Sequence, residues 1–211
     1  MAFKVNDFVE LDYTGHVKDS KDVFDTTDAG IARAHHLQGS APGKVVIPLG
    51  KGFLHKGLEL KLVGKDVGKH RIELNVDEAF GKKSAKLLKL IPTQEFVRDN
   101  IQPQPGLPVQ VDGAMGFVKT VNGGRTIVDF NHPVAGKEVY YDVDAHRVIT
   151  DVKEKVSAVV KLLLKVNAQI TVTKDDATIT FKQELPDDIR EGLITEIKES
   201  TGVKHVTVLK A

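Results

Sequence analysis

Cysteine is absent from the 211-residue chain, so disulfides and thiolate metal sites are excluded. Aromatic residues make up only 6%, and no apolar run approaches the roughly 20 residues of a membrane span. The first residues, Met1-Ala2-Phe3-Lys4-Val5, carry no signal-peptide apolar region, which leads to the expectation of a cytoplasmic protein. Neither sign of charge dominates: 30 basic and 29 acidic residues leave a net charge of +1. No global field then steers the chain toward nucleic acid or membrane, and neither is expected as a partner. There is no P-loop, no zinc-protease helix motif and no obvious catalytic triad. Internal repeats and low-complexity stretches are missing as well.

What is present reads as alternating strands and short helices. Val9, Leu11 and Tyr13 alternate with Glu10, Asp12 and Thr14, the period of a half-buried strand that Gly15 is expected to end. A second strand is expected through Val17 and Val23-Phe24, a loop over residues 26–43, and a third strand over 44–49. Leu54, Leu58 and Leu62 have helical spacing over 54–63, with Gly64 as a stop. Ile72 and Leu74 mark a further strand over 68–75, and Val139, Tyr141 and Val143 another over 137–149.

Residues 84–130 are too long for a loop inside a compact domain. They hold strand signals of their own at 108–111, 116–121 and 125–130, the last two joined by Asn122-Gly123-Gly124. Residues 151–211 read as helix, strand, strand, helix, strand. Asp151 with Glu154 suits a capping box, with Thr150 as the other candidate cap. Val152, Val156, Val159, Val160, Leu163 and Leu164 form a stripe that is either core or a dimer contact. The expected division is 1–83 and 131–150 as one domain, 84–130 inserted into it, and 151–211 as a C-terminal unit.

Five blocks occur in order: Val9-Glu10-Leu11-Asp12-Tyr13-Thr14-Gly15, Phe24-Asp25-Thr26, Leu54-His55-Lys56-Gly57-Leu58-Glu59, Val67-Gly68 and Asp77-Glu78-Ala79-Phe80-Gly81. Together they resemble the FKBP family of prolyl isomerases. The break after Phe80-Gly81 and the return at Asp129-Phe130-Asn131-His132-Pro133-Val134-Ala135-Gly136-Lys137 resemble its SlyD-like group, in which an insert-in-flap domain replaces the flap loop. The extra C-terminal unit is similar to that of long archaeal-type members. The resemblance implies an α+β fold: an FKBP-like antiparallel sheet wrapped on a short helix, an inserted mostly-β flap domain and a C-terminal αββαβ module.

The activity implied is rotation of Xaa-Pro bonds without cofactor or metal. The barrier, roughly 18–20 kcal/mol, comes from amide resonance, and a dry pocket of suitable shape favours the less polar twisted state. From pattern alone, Tyr13 and Tyr141 read as core aromatics and Asp25 as a turn residue. The resemblance places them in a pocket with Phe24, Val45, Leu54, His55, Leu58 and Phe80. Leu58 would be the floor, Tyr13, Phe24 and Tyr141 the walls, and the His55 N–H the donor to a substrate carbonyl. The chain departs from the family at Leu58, where well-studied eukaryotic relatives have Trp, at Phe80, where Tyr is common, and at His55, where an aliphatic residue is common.

Within the insert, Leu87, Leu88, Leu90, Ile91, Phe96, Val109, Met115, Phe117, Val118, Ile127 and Val128 are many apolar residues for so small a unit, and Leu88, Ile91, Phe96, Val109, Met115, Phe117, Val118 and Ile127 are the expected binding residues. Some must form its core. A subset left exposed would bind unfolded segments, so the expected partners are unfolded or partly folded proteins with exposed Xaa-Pro segments. The run Lys82, Lys83, Lys86 and Lys89 reads as a solvated face, and adjacent His35-His36 fall short of a metal-ligand set. The rival to a folding isomerase is a holdase that has lost useful catalysis through Leu58 and Phe80, dimerised by residues 151–211.

Overall fold

The computed structural model describes residues 2–37 and 43–210. They divide into two compact units, residues 1–74 with 139–211 and residues 75–138.

The first unit is built on one long antiparallel pair. β1 (Phe8–Val17) runs beside β9 (Val139–Ile149) over its whole length, from Phe8 opposite Ile149 to Val17 opposite Val139. The other edge of β1 is shared by β2 (Val23–Thr26) and β3 (Val45–Pro48), while β4 (Gly68–Leu74) closes the far side of β9. Gly15 does not end β1, as expected from the sequence; the strand continues to Val17, which therefore belongs to β1 rather than to the second strand. Within the expected loop a short helix forms, α1 (Ala29–Ala34), because the Asp28 side chain accepts the N–H groups of Gly30 and Ile31 and so caps it. The loop's Gly39, Ser40 and Pro42 lie outside the described residues. α2 (Lys56–Leu62) packs on β4 and buries Leu58, Glu59 and Leu62.

The C-terminal segment follows β9 without a break in packing. Asp151, not Thr150, caps α4 (Val152–Leu164), accepting the Glu154 N–H at 2.8 Å. β10 (Gln169–Thr173) and β11 (Asp176–Phe181) form a hairpin, and α5 (Asp187–Thr201) leads to β12 (His205–Lys210), parallel to β11. α5 stops at Gly202, whose φ of 78° is the left-handed cap that glycine adopts freely. Val156, Val159 and Val160 of the α4 stripe lie in a core with Ile179, Leu193 and Ile197, whereas Leu163 is exposed. Phe8 and Ile149 belong to that same core, so the first sheet and the C-terminal elements are packed through the end of the β1–β9 pair. Arg147 on β9 adds a polar tie, donating to Glu10 on β1 and to Glu154 on α4.

The second unit is a four-stranded antiparallel sheet in the order β5 (Leu88–Pro92), β8 (Arg125–Asp129), β7 (Ala114–Asn122), β6 (Pro108–Val111). β5 and the helix after it, α3 (Thr93–Arg98), are not signalled by sequence periodicity. Pro92 separates them within six residues of an apolar run too short to show a period of 2 or 3.6.

Two outcomes follow. Ile197 is fully buried, and Ile197→Ala should cost about 2–5 kcal/mol in denaturant unfolding. The hydrogen bond from Arg147 holds the Glu10 carboxyl below its ordinary value of 4.5, against the opposing effect of burial. A lowered folded-state pKa gives stability that is present above the unfolded value and lost as pH falls through the folded one. The stability gap between the wild type and Arg147→Met, in the part due to Glu10, should therefore be full near neutrality and shrink below pH about 4.5.

Candidate functional site

The geometry starts at Gly15. Its cross-strand neighbours are Tyr141 on β9 and Asp25 on β2. A Cβ built here would lie 2.8 Å from Phe24 Cζ and 2.9 Å from Tyr141 Cε1, so the missing side chain is the space that two rings occupy. Tyr141, only 2% exposed, is the centre of a ring cluster. Tyr13 and Phe24 meet it edge-on, with centroids at 6.0 and 5.6 Å, and the His55 ring lies nearly parallel to it at 6.5 Å.

One polar pair is set into this apolar cluster: the Tyr13 hydroxyl donates to Asp25 Oδ2 at 2.9 Å. Burial pushes the Tyr13 phenol well above its ordinary value, and the charge and hydrogen bond of Asp25 push it further. Tyr141 is raised by burial and then by Asp25. Both phenols therefore stay protonated near neutral pH, as donors and apolar walls rather than bases.

His55 is carried to the cluster by the turn into α2. Gly50 and Gly52, at φ of 86° and 80°, reverse the chain in a region disfavoured for other residues. Glu59, 1% exposed, accepts the N–H groups of Gly50, Gly52 and Leu54 at 2.8, 2.9 and 2.6 Å. A buried carboxylate is tolerated when it is this fully hydrogen-bonded, and it holds the segment that presents Leu54 and His55. His55 is the N-cap of α2: its Nδ1 accepts the Gly57 N–H at 3.2 Å, which leaves the proton of the neutral ring on Nε2. An aliphatic residue could pack there but could not cap. Leu58 is buried in the first turn of α2. Val45 pairs with Leu11 and is half-buried on β3.

The structure thus brings Tyr13, Phe24, Asp25, His55 and Tyr141 together, with Leu54 and Leu58 on the adjoining turn and helix. Phe80 belongs to the second unit, where its ring stacks on His132 at 4.0 Å. Sequence reasoning missed Gly15, read as a strand end, and the role of Glu59, whose one signal was an acidic residue following closely spaced glycines.

The eight insert residues divide. Ile91, Phe96, Val109 and Val118, expected as binding residues, are buried together with Val128 as the core of the second unit. These four are corrected to core: a sheet covered by one short helix needs them to exclude water from its inner face. Register places Leu88, Leu90, Phe117, Met115 and Ile127 on the other face. There Leu90, Met115 and Phe117 are 57%, 62% and 39% exposed, and Leu88 and Ile127 are half-buried. Leu90 was not among the expected binding residues.

Residues 2–98 match the family described as FKBP-type peptidyl-prolyl cis-trans isomerase. An FKBP-type 16 kDa peptidyl-prolyl cis-trans isomerase of Escherichia coli (strain K12) is 38% identical over 102 residues, 46% of this chain and 68% of the relative.

The chain belongs to the FKBP-type peptidyl-prolyl cis-trans isomerases.

A short-type peptidyl-prolyl cis-trans isomerase of Methanocaldococcus jannaschii is 28% identical over 145 residues, 66% of this chain and 90% of the relative. The FKBP-type isomerase SlyD of Haemophilus influenzae is 30% identical over 93 residues, 42% and 48% of the two chains. Residues 89–134 match a second family, described as FKBP26, IF domain. As an FKBP-type isomerase the chain faces a rotation about an amide bond, which calls for shape, dryness and donors rather than for a nucleophile or a base. No helix among the described residues is long and apolar enough to cross a membrane.

Gly15→Ala tests the ring cluster. The added methyl must displace Phe24 or Tyr141, costing about 1–3 kcal/mol of stability. Catalysis of an Xaa-Pro tetrapeptide should fall even at temperatures where the variant is fully folded by circular dichroism.

Proposed function

We propose that the cluster around Tyr141 is where this FKBP-type isomerase holds its proline, and that the sheet of the second unit grips unfolded chain segments. The carrying observation is the convergence of Tyr13, Phe24 and His55 on one buried tyrosine with the hydrogen-bonded pair Tyr13–Asp25 set among them. The proline ring lies against Phe24 and Tyr141 with Leu58 beneath it and Leu54 beside it. The planar Xaa-Pro amide, the more polar state, loses hydration there, while the twisted amide loses less. The His55 main-chain N–H donates to the substrate carbonyl, and Tyr13, kept protonated, orients Asp25 at the rim. Val45 and Phe80 join this reading through the family pattern. No proton is transferred and no covalent bond is made.

The insert, residues 84–130, acts as a chaperone domain through Leu90, Met115 and Phe117, flanked by Leu88 and Ile127. An apolar sheet face with this exposure suits extended, apolar segments of unfolded proteins. Tethering that face to the isomerase site raises the local concentration of prolines in the captured chain. Residues 151–211 form the αββαβ module of a long archaeal-type member.

The test is refolding of a protein limited by proline isomerisation, a phase of roughly tens to hundreds of seconds when uncatalysed. Substoichiometric wild type should accelerate it in proportion to dose. The combined variant Leu90→Ser, Met115→Ser, Phe117→Ser should keep its tetrapeptide activity and lose about tenfold or more on the protein substrate, the scale of a lost tether. Equal losses on both substrates would refute the division of labour. Suppressed aggregation without acceleration by the wild type would make the chain a holdase.

A further inference from the structure

The upper edge of β1 is served by β3 at residues 8–11 and by β2 at residues 14–16. Asp12 and Tyr13 fall in the gap between the two. Both the N–H and the carbonyl of Tyr13 are nevertheless held there by Thr27, which is 3% exposed, and the carbonyl also accepts from Thr26 Oγ1 at 3.2 Å. The Thr27 N–H donates to the Tyr13 carbonyl at 2.9 Å. In a regular ladder the Tyr13 N–H would pair with the Thr27 carbonyl, which here accepts the Gly43 N–H at 2.8 Å instead. The Thr27 hydroxyl replaces it: Oγ1 accepts the Tyr13 N–H at 2.9 Å.

The hydroxyl proton is itself directed. It lies between two acceptors, Asp12 Oδ1 at 3.2 Å and the Tyr13 carbonyl at 3.3 Å. The other Asp12 oxygen, Oδ2, is 2.8 Å from His146 Nε2 on β9. Next to this, Thr26 is 1% exposed, and its Oγ1 is 2.9 Å from Thr14 Oγ1 and accepts the Asp28 N–H at 3.1 Å. Asp12 and Thr14, on either side of Tyr13, and Thr26, which follows Asp25, are thus pinned through side-chain hydroxyls beside the interruption of the ladder.

We infer that Thr27 is a positioning residue for prolyl isomerisation: its hydroxyl sets the main chain of Tyr13 so that the phenol meets Asp25. The inference rests on the reading that the Tyr13–Asp25 pair lines the isomerase pocket. Thr27 touches no substrate. Without its hydroxyl, the Tyr13 N–H loses its acceptor, and the strand must shift to share the Thr27 carbonyl with Gly43 or to find another partner. The shift is carried along the residue to the phenol and alters the 2.9 Å bond on which the polar rim of the pocket depends.

The experiment is a double-mutant cycle on tetrapeptide isomerisation, with thermal unfolding followed in parallel. Thr27→Val keeps the shape and removes the hydroxyl, Thr27→Ser keeps the hydroxyl, and Tyr13→Phe removes the phenol that is being positioned. Thr27→Val should lower kcat/KM about fivefold, the scale of one net hydrogen bond, and Thr27→Ser should restore near wild-type activity. In the Tyr13→Phe background, Thr27→Val should cost nothing further, because the group it orients is gone. A merely structural role would lower both backgrounds alike, so losses that multiply would overturn the inference, as would full activity in Thr27→Val. If Tyr13→Phe alone leaves kcat/KM unchanged, the pocket reading fails first and the inference falls with it. Should Thr27→Val not fold, Thr27→Ala takes its place in the cycle and is read by the same criteria.

Discussion

Everything in the larger unit depends on one ladder. β1 and β9 pair residue by residue across more than a hundred intervening positions, with a single register shift after Glu10. That register sets Gly15 opposite Tyr141, which makes the hole the aromatic cluster fills. It also sets Phe8 opposite Ile149, which gives the C-terminal helices an apolar end to pack on. A slip of one residue would turn Tyr141 outward and bring Tyr140 in. Closing so long a loop is entropically costly only in proportion to the logarithm of its length, so an insertion the size of the second unit is compatible with the pairing.

Polar groups near the aromatic cluster survive burial by pairing within the chain. Among the described residues, no buried side-chain nitrogen or oxygen lacks a partner. Glu59 spends its carboxylate on three main-chain N–H groups, Asp25 accepts from Tyr13, and Thr26 and Thr27 use their hydroxyls where the ladder is broken. Each group is satisfied by the protein itself, so water is not needed at these points. Polar groups paired in this way stay aimed without help from solvent.

Much of this was legible from the residues. The alternation at Val9, Leu11 and Tyr13 and at Val139, Tyr141 and Val143 marked both halves of the central ladder. The leucine spacing around Leu58 marked α2, and Asp151 marked the start of α4. What escaped was of two kinds. Gly15 looks like a terminator because glycine weakens strands; its use as a clearance between two rings is a property of neighbours far away in sequence. In the insert, Ile91 and Leu90 are adjacent and equally apolar, yet one is 7% exposed and the other 57%. Strand alternation separates them, but only the position of α3 decides which face is the inner one.

The sequence by itself determined the local vocabulary and the family: which segments alternate, where helices are capped, and which blocks stand in the order of an FKBP-type isomerase. These follow from nearest-neighbour sterics, side-chain period and capping chemistry, all of which act over a few residues. Tertiary structure alone decided which apolar residues are walls and which are surface, that Thr27 rather than a strand partner holds Tyr13, and that residues 151–211 share a core with the first sheet. Burial and hydrogen-bond completion are properties of the whole packed chain, because each buried group is satisfied by partners that only the fold brings within reach.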